Sequence, residues 1–219
     1  MASKVDICNL ALSHLGDTAS VSSIDPPEGS AQAEHCARYY PIARDSLLEL
    51  HPWGFATKRV DLAIIGSGLP EWDYCYAQPA DALNVIAVLP PASFDDYSVG
   101  ALPGGYQTLP MVAGYVPQPF ACELNADGQS VILTDQKEAL LRYTTLNVDE
   151  SKFSPLFVMT LSWHLASMLA GAIIKGDAGA AEAKRCSQFM NAYLSQAIES
   201  DASQRRIAPA HNVGWIAGR

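Results

Sequence analysis

DPPEGSAQAEHCARYYPIARDSLLELHPWGFATKR, residues 25–59, is the stretch from which the rest of the fold follows. Asp25 is a candidate N-cap, Pro26 suits the first helical position, and Glu28 stands three residues beyond that cap. Ala33, Cys36, Tyr40, Ala43, Leu47 and Leu50 then recur at alternating spacings of three and four, which places them on one stripe of a helix. Arg38, Arg44, Asp45 and Glu49 fall largely on the other faces. Pro41 removes a hydrogen bond to the carbonyl of Ala37, so the expectation is a kinked helix and not two helices. His51 precedes Pro52 and is biased away from helical geometry, so the helix ends there. Trp53 and Phe55 are then expected to plug the joint between a helical layer and the first strand.

Working outward, Ser3 and Asp6 read as a capping signal for a short helix with Val5, Cys8, Leu12 and Leu15 on one face, stopped by Gly16. Residues 17–24 read as a loop. Beyond Phe55 the helical period disappears. Val60, Leu62, Ile64 and Ile65 suit a strand, Trp72, Tyr74 and Tyr76 alternate, and 84–89 is a short buried strand closed by Pro90-Pro91. Residues 92–119 are rich in Gly and Pro and read as a long excursion, of a length usually tied to binding. Two short runs, 121–124 and 131–134, flank Asn125-Ala126-Asp127-Gly128 as a hairpin, and 140–145 is a last strand. Helices resume at Ser154-Pro155. Asp177 is the expected cap of a final helix with the stripe Ala183, Cys186, Met190, Leu194 and Ala197.

The fold class expected is therefore α+β. It comprises an antiparallel four-helix bundle from residues 1–54 and 147–202 and an inserted, mostly antiparallel β domain over 55–146. An extended C-terminal arm covers 203–219. That arm carries Arg205, Arg206 and Arg219 with no acid after Asp201, and it also holds Trp215 and Ile216. It reads either as a frayed terminus or as an arm that orders on a partner, anchored by Trp215 and Ile216 and steered by the arginines.

Composition narrows the function classes. Apolar residues make up 49% of the 219-residue chain and charged ones 17%, which is the balance of a packed protein. A net charge of −9 argues against tight nucleic-acid binding but is compatible with DNA passing without being held. The five cysteines, Cys8, Cys36, Cys75, Cys122 and Cys186, are scattered and form no CxxC pair, so no zinc site is expected and the thiols read as reduced and mostly buried. The N-terminus has no signal-peptide pattern. Residues 155–174 hold no Asp, Glu, Lys or Arg and are long enough to span a bilayer, yet Thr160, Ser162, His164 and Ser167 favour a buried central helix, without a membrane anchor.

Catalytic patterns are missing. There is no GxSxG, no GxxxxGK[ST] and no HExxH, and Gly100–Gly105 carries no lysine and opens no helix. No cofactor, metal or catalytic residue is expected. His164 reads as a core histidine with bonded ring nitrogens. Asp95-Asp96 and Asp149-Glu150 read as solvated turns. A Cys–His hydrolase assembled from Cys8, His14, Cys36 or His164 is the remote enzymatic alternative.

Four ordered blocks carry a family resemblance: ICNLALSHLG, AEHCARYYPIARDSLLELHPWGFATKRVDLA, WDYCYAQPADALNVIAV and LLRYTTLNVDESKFSPLFVMTLSWHLASMLAGAI. In the third, Trp72, Tyr76, Pro79 and Asp81 match an aromatic–Pro–x–Asp pattern. Over residues 7–200 the chain resembles the tail tubular protein A, or head–tail adaptor, family of short-tailed phages. The resemblance implies a non-enzymatic virion protein of the head–tail junction, made in the host cytoplasm. Its partners would be a homo-oligomeric ring of roughly twelve copies, the portal protein and the tail nozzle protein. DNA would cross the channel without specific binding. Another tail or tail-completion protein is the alternative.

Overall fold

The computed structural model describes residues 2–18, 20–67, 70–90 and 118–204. Among these residues four helices, α1 (Lys4–His14), α2 (Ala31–Leu50), α3 (Pro155–Ile173) and α4 (Gly176–Ser203), bracket seven strands. The strands are β1 (Thr57–Asp61), β2 (Ile64–Ser67), β3 (Tyr74–Ala77), β4 (Ala82–Leu89), β5 (Phe120–Leu124), β6 (Ser130–Thr134) and β7 (Leu140–Thr145). The described residues fall into two compact units, a helical one made of residues up to Ala56 and of 146–204, and a sheet unit, Thr57–Thr145.

In the helical unit, Ser3 and Asp6 form the expected reciprocal capping box at the start of α1. Gly16 closes that helix at a φ of 74°, where a side chain would be strained. The buried face is Ile7, Cys8, Ala11 and Leu12, displaced from the expected one. α2 begins later than expected. Its N-cap is Ser30, whose hydroxyl accepts from the N–H of Ala33, and not Asp25. Residues 24–29 are already committed elsewhere: Ile24 bridges to Pro27, Glu28 accepts from Ser22, and Gly29 has a φ of 94°, outside helical space. Pro41 lies within one continuous helix that ends at Leu50, with His51 extended as its cap. Ala33, Cys36, Tyr40, Ala43 and Leu47 are buried as expected, but Leu48 replaces Leu50, which is 62% exposed.

The expected four-helix bundle with one inserted sheet is not the architecture. α3 is a hub that packs lengthwise on α4 and against α1 and α2, whereas α1 and α2 barely meet and α4 runs along neither of them. The reason is in the stripes. α3 carries no charge along its length and is exposed only at Pro155 and Gly171, so it can be covered on several sides. α1, α2 and α4 are apolar on one stripe only, and each spends that stripe on α3. α3 is also long and apolar enough to cross a membrane by length and composition, with a mean hydropathy of 1.6. The N-cap of α4 is Lys175, whose side chain makes no capping hydrogen bond, so Asp177 lies in the first turn and is not the cap. Of its expected stripe, Cys186 and Ala197 are buried.

The sheet unit also departs from one inserted sheet. A three-stranded antiparallel sheet has the order β1-β7-β4, and a four-stranded one has the order β2-β3-β6-β5. The chain changes sheet between β1 and β2, where Leu62 donates its N–H to the carbonyl of Ala139 at 2.9 Å. Tyr76 and Ile132 from one sheet share an apolar cluster with Val88, Leu141 and Tyr143 from the other. Two sheets burying one face each against a common cluster need no helix to cover them. The hairpin of β5 and β6 forms as expected, with Gly128 at a φ of 75°. Most of the expected excursion falls on 91–117, outside the described residues. Its return point is fixed: Gln118 donates to the carbonyl of Val88 at 2.9 Å.

Candidate functional site

Asp81 sits in the turn that opens β4, where the N–H of Ala82 bonds the carbonyl of Pro79 at 3.0 Å. Its carboxylate accepts from Lys58 Nζ at 2.8 Å, Tyr143 OH at 2.9 Å and Thr145 Oγ1 at 2.8 Å. Lys58 stands directly opposite Tyr143 in the β1–β7 ladder, and Ala82 opposite Thr145 in the β4–β7 ladder. One carboxylate therefore ties all three strands of the sheet. The Lys58 ammonium first, then the two hydroxyl donors, hold Asp81 down at a pKa of about 2. Burial, then the carboxylate, pushes Tyr143 up to about 12. This is a permanently ionised clamp, unsuited to proton transfer near neutrality. The sequence marked Pro79 and Asp81 through the family pattern; it gave no sign of Lys58, Tyr143 or Thr145 as their partners.

A second junction lies in the helical unit, after α2. Trp53 is fully buried, and its ring meets Phe157 of α3 edge-on at 4.9 Å and Phe55 at 5.8 Å. Asp201 near the end of α4 accepts from the N–H of Gly54 at 3.0 Å and lies 3.1 Å from His51 Nε2. Trp53 and Phe55 thus lock the turn after α2 into the helical unit. Asp201 was not singled out in the sequence because its partners are about 150 residues away.

Of the cysteines, Cys8, Cys36 and Cys186 are buried as expected, whereas Cys75 is half-buried and Cys122 is exposed on the edge strand β5. Cys8 and Cys36 are fully buried and in mutual contact, and that thiol hydrogen bond together with burial keeps Cys8 protonated. The two histidines of the enzymatic alternative, His14 and His164, face serines instead. His14 Nε2 is 3.0 Å from Ser162 Oγ, and His164 Nε2 is 3.0 Å from Ser46 Oγ. Both serine hydroxyls donate to helix carbonyls, of Met159 and Ala43, so each histidine serves as the N–H donor. Burial lowers the pKa of both, that of His14 to about 4 with help from the Arg185 cation. Nδ1 of His164 is buried and has no hydrogen-bond partner, so only one of its nitrogens is bonded as expected. His14 stacks on Trp163 at 3.6 Å, Trp163 on Phe189 at 4.7 Å, and the Arg185 guanidinium covers both larger rings.

An open groove of about 410 Å³ lies among Lys4, Arg44 and residues 146–150. Asp149 and Glu150 offset its two cations, so it has no charge preference for an anionic ligand. Among the described residues no group of three or more His, Cys, Asp or Glu side chains is placed to hold a metal ion. Arg205, Arg206, Trp215, Ile216 and Arg219 lie outside the described residues.

No protein-family model matches the chain, and no curated protein matches it.

Proposed function

We propose that this chain is a structural virion protein, a head–tail adaptor whose copies form a ring between the portal and the tail nozzle of a short-tailed phage. One observation carries the reading beyond the resemblance itself. Lys58 comes from the second resembling block, Asp81 from the third, and Tyr143 and Thr145 from the fourth, and all four meet at one carboxylate. The second, third and fourth blocks are therefore coupled within one sheet. Where Asp81 holds three strands together, it supplies rigidity and no reaction, which suits a ring component. The charge of −9 suits a conduit that DNA crosses without being retained.

The test is to mix the purified chain with the portal protein encoded in the same genome and follow it by light scattering and negative-stain microscopy. A second ring stacked on the portal at a fixed copy ratio is the expected result. No association at any salt concentration from low to physiological overturns the reading.

A further inference from the structure

Among the described residues one cysteine pair is in contact. Cys8 on α1 and Cys36 on α2 are fully buried, and the Cys8 thiol donates to Cys36 Sγ. The other three cysteines are kept apart. Cys75 lies on β3 and Cys122 on β5 with β6 between them, so two strand spacings, roughly 10 Å, separate their strands, too far for a disulfide. Cys186 Sγ faces Glu182 Oε1 at 3.8 Å.

The chain between Cys8 and Cys36 is folded back so that α1 and the start of α2 lie near each other. Asn9, next to Cys8, accepts from the N–H of Val21 at 2.7 Å and donates to its carbonyl at 2.9 Å. Gln32, one turn before Cys36, donates to Asp17 at 3.3 Å. Beyond these ties α1 and α2 share little surface, since each packs on α3. The thiols themselves sit on the apolar faces of the two helices, beside Ala11 and Leu12 of α1 and Ala33 and Tyr40 of α2. That enclosure admits only an oxidant of nearly the size of water.

We propose that Cys8 and Cys36 are a redox site that a small peroxide closes into a disulfide, fastening α1 to α2. The hydrogen bond from Cys8 favours the thiolate of Cys36, the nucleophilic form, so Cys36 reacts first. Its Sγ attacks one oxygen of hydrogen peroxide, the O–O bond breaks, and a Cys36 sulfenic acid and water result. The Cys8 sulfur then attacks Cys36 Sγ, the S–S bond forms, and the hydroxyl leaves with the Cys8 proton as a second water. Two thiols and one peroxide give one disulfide and two waters, the thiols losing the two electrons that the peroxide gains. The bond closes residues 8–36 into a loop and so restricts the unfolded chain. The proposal is independent of the adaptor reading and holds whether or not the chain binds a portal.

The test is to treat the full chain, folded and freshly reduced, with hydrogen peroxide. The remaining thiols are then blocked with iodoacetamide in urea, and the chain is digested without reductant. The expected result is a peptide pair linked through Cys8 and Cys36, with Cys186 recovered as an alkylated thiol. The oxidised chain melts at a higher temperature than the reduced one, and dithiothreitol returns it to the starting value. Cys122→Ser, which removes the exposed thiol, keeps the link. Cys8→Ser loses it, and its melting temperature no longer rises with peroxide. The readings on the unaltered chain decide the matter even where a variant fails to fold. Recovery of both Cys8 and Cys36 as alkylated thiols from the folded, peroxide-treated chain overturns the proposal. A linked pair that leaves the melting temperature unchanged or lower overturns the fastening of α1 to α2.

Discussion

The indole N–H of Trp53 donates to the carbonyl of Leu47 across 2.8 Å. Leu47 is among the last four residues of α2, whose carbonyls have no partner within the helix. The aromatic that follows Pro52 thus returns to finish the helix the proline ended, and in doing so fills the space beside Phe157.

Trp53→Phe keeps most of the apolar volume but leaves that carbonyl unbonded in a buried site. It is expected to cost about 1–3 kcal/mol. Trp53→Ala removes the volume as well and is expected to cost about 3–5 kcal/mol. Urea unfolding followed by circular dichroism measures both. Equal losses for the two variants would mean that packing carries none of the effect.

The Asp81 clamp predicts an acid response confined to the sheet unit. The native pKa of about 2 lies below the ordinary carboxylate value, so the unfolded chain takes up the proton first. The stabilisation is complete above about pH 4 and is lost as pH falls through 2. Asp81→Ala removes three hydrogen bonds to a charged acceptor. It should cost about 1–3 kcal/mol at neutral pH and flatten the pH dependence in that window. Hydrogen exchange in β1, β4 and β7 between pH 4 and 2 reports on it.

His14 predicts an acid sensitivity of the same sign, in the helical unit and at higher pH. Its native pKa of about 4 lies below the ordinary histidine value of 6.5, because burial and then Arg185 oppose the charged form. Over that interval the unfolded state binds the proton and the native state does not, so stability falls as pH drops from 6.5 to 4. His164 is shifted in the same direction by burial and adds to the slope. His14→Gln should reduce the slope by up to about one proton per molecule. Unfolding free energies across the window, with an unchanged slope in the variant, would remove His14 from the explanation.

Two helical glycines should respond differently to the same change. A Cβ at Gly171 in α3 has no atom within 4 Å, so Gly171→Ala is expected to stabilise by about 0.5–1 kcal/mol. A Cβ at Gly179 in α4 meets the carbonyl oxygen of Ala170 at 3.0 Å, and that atom is backbone in a packed helix. Gly179→Ala should gain nothing, and Gly179→Leu should cost about 1–3 kcal/mol through overpacking. Thermal melts of the three variants decide the matter; a stabilising Gly179→Ala would show that the α3–α4 crossing yields.

Local signals were legible where the physics is local. The Ser3–Asp6 box, the end of α2 at His51, Pro155 at the start of α3 and the 125–128 turn each depend on residues within one turn of one another. Legibility failed where two local signals competed. Asp25 had the chemistry of a cap, but Glu28 was engaged by Ser22 and Gly29 broke the helical backbone, leaving Ser30 to do the capping. At the clamp, Asp81 stood out only by its motif, since Lys58, Tyr143 and Thr145 are remote in sequence.

The sequence by itself determined most of the helices and strands, because capping, periodicity and turn chemistry act over a few residues, but the run from Val60 to Ile65, read as one strand, is divided between β1 and β2. It also determined the acidity, and the lack of charge along α3. The tertiary structure decided what those segments pack against. One uncharged helix could accept three partners, so α3 became a hub in place of an equal member of a bundle. The chain could change sheets at Leu62, so one expected sheet became two around a shared cluster. Such choices depend on burial summed over distant residues, and no window of sequence contains that sum.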